Sequence, residues 1–447
     1  MSRHTATPFA FSAGSPAALA AHDAALDRFL AGDGDPLAAL EPALAAEPGF
    51  VAGHLLVAGT AVAAWDKRSF ALLRRSLAAL LPFAARANAR ERAHFAAARA
   101  WLAGEHAKAA DEYAAIVREW PLDALALRLT QAAWVFIGRS GGHLRVVAPA
   151  LAAWQPDMPG YAHVLALHAY ALAENGEGAR AEESGRRAVA LRPGHAGAIH
   201  AVTHALLDRG RAAEGAKWLD EHAAASTAGG LARHLAWHDA LFQLELGRID
   251  RALAHVDFPP AGGSATPASD AGDAAALLWR LELEGVDVGE RWRPLADAWA
   301  ARAGDAFWPL LDVHAMMAFA AAGRDADAAE LLRIMESAGQ GCTGGAAVVR
   351  EVALPAARAV LAFARGEYAR VVDLAGPLRP GLWRLGGSRT QRDTLDLTVL
   401  EAAIRAGRGR LAQALVGERR AAAPLTPRAR VQAARAGALA VDARAAA

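Results

Sequence analysis

The chain has one cysteine in 447 residues, almost no surplus of charge, and no run of eighteen apolar residues. Each shortage excludes something. Cys342 has no partner, so a disulfide framework is out. The 48 Lys and Arg stand against 47 Asp and Glu, a net charge of +1. A general nucleic-acid binder carries a large positive excess instead. Without a long apolar run, no membrane span is expected. The first residues, Met1 to Pro8, lack an apolar core, so no signal peptide is expected. With the lone thiol this points to a reducing, cytoplasmic location. Alternating Val/Ile/Thr runs are scarce, which argues against a sheet. No phosphate-binding G-x-x-x-x-G-K-[ST] loop, dinucleotide fingerprint or G-x-S-x-G elbow is present.

What the chain does have is alanine, hydrophobic content of 54%, and periodic punctuation. The hydrophobic fraction excludes a disordered chain. Alanine biases the backbone toward helix almost throughout. A glycine followed five positions later by a usually small residue recurs at Gly104/Ala109, Gly176/Ala181, Gly210/Gly215, Gly247/Ala252, Gly323/Ala328, Gly366/Val371 and Gly407/Ala412. With Gly138 included, successive glycines from 104 to 247 are 34, 38, 34 and 37 residues apart. Pro48, Pro121 and Pro193 are spaced by 73 and 72, about two repeats. Glycine supplies the positive φ that ends a first helix. A small residue lets the second helix approach, and proline stops it. A period near 34 with these marks is the tetratricopeptide pattern. The expected fold is all-α: a TPR-like right-handed superhelix of antiparallel helix hairpins, an α-solenoid, whose apolar faces are covered by their neighbours.

Two segments interrupt the repeat. Asp257 to Asp270 is rich in helix breakers, and long irregular connections are lids or module boundaries. Gly376 to Asp393 replaces a plain hairpin turn with glycines and arginines. The chain is therefore read as helical repeats over 1–256, a loop over 257–272, and further repeats over 273–442 continuous with the first stack. The alanine-rich end after Asp442 reads as frayed.

Sixteen histidines are present, and eight fall between His163 and His238. Two pairs have i,i+4 spacing, His200/His204 and His234/His238. Such residues share a helix face. The pairs are themselves 34 residues apart, so in a repeat stack they lie on equivalent faces of adjacent helices, with axes about 8–10 Å apart. Counted from the glycines that follow, the pairs are offset by three residues, nearly one turn. Neutral imidazole suits Zn, Cu, Fe and Ni. The pattern predicts a shared site for a divalent transition metal, zinc or iron, on His200, His204, His234 and His238. Glu174 and Asp312 are the carboxylates placed to join it. The zincin pattern is absent, since no Glu follows His200. A His-lined groove equally suits an anionic or peptide ligand without metal.

Of the twelve tryptophans, most serve core packing. Trp237, inside the second pair, and Trp308 are the groove candidates. Asp312, His314 and Arg392 are secondary ligand candidates. Arg384, Arg389 and Arg392 form a cluster suited to a carboxylate or phosphate, and Arg291 is a further candidate. Cys342, in a glycine-rich context, is incidental.

Several longer motifs resemble the tetratricopeptide repeat protein 38 family. They include Phe50-Val-Ala-Gly-His54, Arg90-Glu-Arg-Ala-His94, Trp154-Gln-Pro-Asp-Met-Pro159, His200-Ala-Val-Thr-His204 and His234-Leu-Ala-Trp-His238. Leu278-Trp-Arg-Leu-Glu-Leu-Glu-Gly285, Val288-Gly-Glu-Arg-Trp292, Asp312-Val-His314 and Leu385-Gly-Gly-Ser-Arg-Thr-Gln-Arg-Asp393 follow in order. The resemblance implies a TPR-like solenoid and no established activity. Relatives tend to carry Glu three residues after the second histidine of the first pair; here Leu207 stands there. They tend to carry His-Asp where this chain has Gln131-Ala132. Both departures remove ligand-capable groups. The expected function is binding of a protein, peptide or small molecule in a concave His/Trp-lined groove, with no nucleic-acid or membrane partner. The alternative is a metal-dependent, hydrolase-like enzyme with the histidines as ligands and a nearby carboxylate as base.

Overall fold

The computed structural model describes residues 9–222, 230–256, 266–302, 305–422, 424 and 426–445. Among the described residues there are helices and no strand. The glycine punctuation acts as the sequence predicts. All seven turn glycines have positive φ, from 65° at Gly210 to 80° at Gly104. The residue after each closes the helix end: Glu105 N–H donates to the Ala100 carbonyl at 2.9 Å, Glu177 to Leu172 at 2.9 Å and Arg211 to Leu206 at 3.0 Å. An L side chain disfavours that left-handed conformation, so the position selects glycine.

The small residue five positions on is a packing requirement. Ala109, Ala181, Ala252 and Ala412 are wholly buried. At Gly215 not even a methyl fits, since a Cβ would lie 2.0 Å from the Phe242 ring. Helices end at Ala46, Glu119 and Leu191, two residues before Pro48, Pro121 and Pro193.

The chain forms two compact units, Met1–Ala205 with Trp218–Leu235, and Leu206–Lys217 with Ala236–Ala447. Their borders fall inside helices and not at the 257–272 segment. In the first unit, antiparallel neighbours pair: Val51–Ala63 with Phe70–Leu80, Ala89–Leu102 with His106–Glu119, and Tyr161–Glu174 with Gly178–Leu191. Val51–Ala63 also touches Ala89–Leu102 and Ala124–Phe136, and the latter touches Tyr161–Glu174. This is the contact pattern of a helical repeat.

The Arg90–His94 motif is a buried clamp between hairpins. Arg90 Nη1 and His94 Nε2 reach the same Asp123 oxygen at 2.8 and 2.9 Å. Asp123 Oδ1 also accepts from Ala126 N at 2.8 Å, capping the next helix. Burial opposes ionisation of Asp123, but His94 and Arg90 hold its carboxyl well below the usual range.

In the second unit, Ala268–Leu283 packs on Pro309–Ala321, which packs on Leu354–Ala364. Ala268–Leu283 also meets Arg389–Arg405, far along the chain. That contact is sealed by Trp279 Nε1 donating to Thr398 Oγ1 at 2.9 Å. The 376–393 excursion is a folded segment. A 3-10 run, Gly376–Leu385, is followed by Gly386 and Gly387 at φ 86° and 75°, then Ser388 caps Arg389–Arg405. A Cβ on Gly387 would lie 2.4 Å from Leu310, so the bend is packed in place. Of the breaker-rich segment, 257–265 lies outside the described residues, and a helix starts at Ala268. The last helix runs to Ala445. No helix among the described residues is long and apolar enough to cross a membrane.

Candidate metal centre

The Ala196–Asp208 helix carries His200 and His204, and Ala232–Glu245 carries His234 and His238. The four-residue spacing puts each pair on one face. The Nε2 atoms of His200 and His204 are 3.0 Å apart, and so are those of His200 and His234. His238 follows His234 by one turn of the same helix. One ligand atom from each of the four lies within 4.8 Å of the others. His204 and His238 are buried, while His200 and His234 are half-buried. The three-residue offset in the sequence does not keep the pairs apart.

Packing fixes the rings. Tyr170 stacks on His200 with centroids 5.6 Å apart and meets His204 edge-on at 5.5 Å. Tyr170 is itself buried with Val135, Ala169 and Ala201. Sequence reasoning passed over this tyrosine, although it lies one turn before Glu174 on the same helix.

Glu174, the last residue of Tyr161–Glu174, is buried. Its Oε2 accepts from Ser140 Oγ at 2.8 Å, and its Oε1 lies 3.9 Å from His204 Nδ1. The carboxylate thus faces the back of an imidazole whose Nε2 faces the cluster. Carboxylates so placed orient metal-binding histidines and raise their basicity.

Burial, then the neighbouring His204, His234 and Arg128, pushes the His200 pKa well below its ordinary 6.5. His200 is therefore a neutral donor at neutral pH. Burial also lowers the Arg128 pKa, to about 10, so at neutral pH that side chain remains a cation near the cluster. A second cation costs less where Glu174 offsets part of the field.

The other candidates lie elsewhere. Trp237 is 4% exposed and Trp308 2%, so both are core residues and line no open groove. Trp308 Nε1 donates to the Leu385 carbonyl at 3.1 Å, bracing the 376–393 segment. Asp312, His314 and Arg392 all belong to the second unit. His314 is buried, its pKa lowered by that burial to about 4. Arg392 donates to the Gly386 carbonyl at 3.1 Å and to that of Gly387. Arg384 pairs with Glu351 at 2.8 Å. Arg291 donates to the Val288 carbonyl at 3.0 Å. Cys342 is exposed.

Sequence reasoning missed a second histidine chain. Asp27 Oδ1 lies 2.9 Å from His163 Nε2, and His163 Nδ1 lies 2.8 Å from His195 Nε2. Arg192 donates to Asp27 Oδ2 at 2.8 Å. This chain ties the Pro16–Ala31 helix to the Tyr161–Glu174 and Gly178–Leu191 hairpin and its exit. The available signal was the 32-residue separation of the two histidines, close to one repeat.

No protein-family model matches the chain.

Proposed function

We propose that the histidine group holds a divalent transition metal, zinc before iron, in a TPR-like stack of right-handed sense related to the tetratricopeptide repeat protein 38 family. The observation that supports a metal is the convergence of three Nε2 atoms, with His200 Nε2 3.0 Å from two others. An imidazole nitrogen carries either one proton or one lone pair. It therefore makes one in-plane hydrogen bond and does not satisfy two nitrogens at once. A cation between the nitrogens resolves the crowding. With Zn–N near 2.0–2.1 Å, tetrahedral ligands sit about 3.3 Å apart, close to the spacing seen.

The donor set favours zinc. Non-haem iron sites usually include a carboxylate ligand, and Glu174 sits behind His204 instead. Four imidazoles fill a tetrahedral shell, which favours retention of the ion over hydrolysis, since a catalytic zinc keeps a position for water. The half-buried His200 and His234 form the approach by which a protein, peptide or small-molecule partner reaches the centre.

Metal analysis of tag-free protein tests this reading. About one zinc per chain, lost in the His200→Ala/His204→Ala double variant, is the expected result. Sub-stoichiometric zinc, iron, copper and manganese, with melting unchanged by a chelator, overturns it.

A further inference from the structure

The second unit contains an open cavity of about 570 Å³, within the range of small-molecule sites. None of the four clustered histidines lines it. Its wall holds six arginines and six carboxylates, so the wall carries no net charge and selectivity has to come from particular side chains.

Most of the arginines are committed. Arg280 donates to the Thr390 carbonyl at 2.7 Å and pairs with Asp393 at 3.3 Å. Arg379 holds Asp396 and Glu418, each at 2.7 Å. Arg419 holds Asp393, and Arg428 holds Glu284. Arg389 is different. Its ion pair with Asp208 is 3.7 Å long, beyond hydrogen-bond range, and its side chain is 42% exposed. A planar fork of N–H donors therefore remains available at the wall. On the same folded segment stands Trp383, 47% exposed, one of the few large apolar side chains left in water among the described residues. It too lines the cavity, with Leu382 and Leu397. The tight packing at Gly387 and the capping box of Ser388 and Gln391 hold this segment in place.

We propose that the cavity binds a small organic anion with a flat apolar body, its carboxylate or phosphate on Arg389 and its ring against Trp383. Guanidinium takes either anion by two parallel hydrogen bonds. An exposed indole offers a face for a flat ring. The proposal does not depend on the histidine site.

Calorimetric titration of the full chain with phenyl phosphate and benzoate tests it, alongside inorganic phosphate and neutral benzyl alcohol. Phenyl phosphate or benzoate is expected to bind saturably at submillimolar concentration. Inorganic phosphate and benzyl alcohol are each expected to bind at least about tenfold more weakly. Arg389→Gln and Trp383→Ala, with unchanged melting, each weaken binding about tenfold or more, and Arg389→Lys restores part of it. Arg384→Gln, on the same segment but paired with Glu351, leaves it unchanged. Prior removal of metal by a chelator also leaves it unchanged, which separates this site from the histidine centre. Failure of both aromatic anions to saturate in the millimolar range overturns the proposal. So does equal binding of benzyl alcohol, or full affinity in both Arg389→Gln and Trp383→Ala.

Discussion

Two polar clusters among the described residues bury nitrogen and oxygen on opposite terms. Around Asp393 unlike charges meet: the carboxylate accepts from the guanidiniums of both Arg280 and Arg419. Around His200 three Nε2 atoms converge in 3.0 Å steps, and the nearby Arg128 adds charge of the unhelpful sign. A cluster that compensates itself is a structural device, costly to break and indifferent to added ligands. A cluster of like donors is, on the function proposed above, one that an ion from solution completes. A related contrast recurs among the arginines of the cavity wall, where the ion pair of Arg389 is the long one at 3.7 Å.

The sharpest way to break this comparison is to remove a charge from the self-compensated cluster. Asp393→Asn leaves Arg280 and Arg419 without the carboxylate they share, while Glu245 and Asp396 act only through space. Burial raises the Asp393 pKa, but Arg419 and Arg280 outweigh that and hold it well below the usual carboxylate range. The loss expected in urea unfolding is about 3 kcal/mol, the lower end for a broken buried pair, because Asp393 keeps 29% of its side chain exposed. A loss below about 1 kcal/mol makes the cluster an ordinary surface pair.

Acid comes next. Burial, with help from His204, His234 and Arg128, depresses the folded His200 pKa below 6.5, so only the unfolded chain takes the proton as pH falls from 6.5. Stability from this group is complete above about 6.5 and declines below it. At about pH 5 the cost is at most about 2 kcal/mol, the limit set by the unfolded chain's ordinary value. His106, lowered by burial to about 4, and His143, lowered chiefly by burial to about 3, act in the same direction. In metal-stripped protein, His200→Asn reduces the loss between about pH 7 and pH 5, by at most about 2 kcal/mol. An unchanged pH slope in that variant removes His200 from the account. The Asp393 cluster acts at lower pH, because its carboxylate stays ionised until well below the ordinary range.

Glu174→Gln asks whether the histidine group has an outer shell. The 3.9 Å approach to His204 Nδ1 is long, so the expected loss of zinc affinity is about tenfold, the low end for outer-shell carboxylates. Competition with a chromophoric chelator measures it. Unchanged affinity means that the carboxylate does not act on the histidine group.

Much of this was legible in the sequence, for a definite reason. Local conformation and one-period relations are written in short intervals. Glycines at 104, 176 and 210 needed positive φ, Ala109 and Ala181 needed to be small, and two histidine pairs one repeat apart pointed to one cluster. Relations across many repeats left no such mark. Arg280 and Asp393 are 113 positions apart, and Trp279 meets Thr398 over 119. Nothing local predicts that Ala268–Leu283 packs on Arg389–Arg405, so the cavity that this contact helps to wall was not foreseen. Exposure was also misjudged where composition was the only guide. Trp237 adjoins a clustered histidine, yet its ring points into the core.

The arginines of the 376–393 segment show the same limit at its finest scale. In the sequence Arg384, Arg389 and Arg392 form one cluster, since all three sit among glycines within nine residues. The fold separates them by partner. Arg384 faces Glu351 in a pair whose side chains are 29% and 47% exposed, Arg392 ties down the Gly386 carbonyl, and Arg389 alone lines the cavity with donors to spare. An exposed pair gains little, because solvent screens it and two long side chains lose freedom in making it. Arg384→Gln is therefore expected to shift stability by less than about 1 kcal/mol, the smallest effect in the set, measured by urea unfolding beside Asp393→Asn. A loss as large as that of Asp393→Asn would mean that exposure does not separate structural from incidental charge here, and the distinction between the two clusters would have to rest on geometry alone.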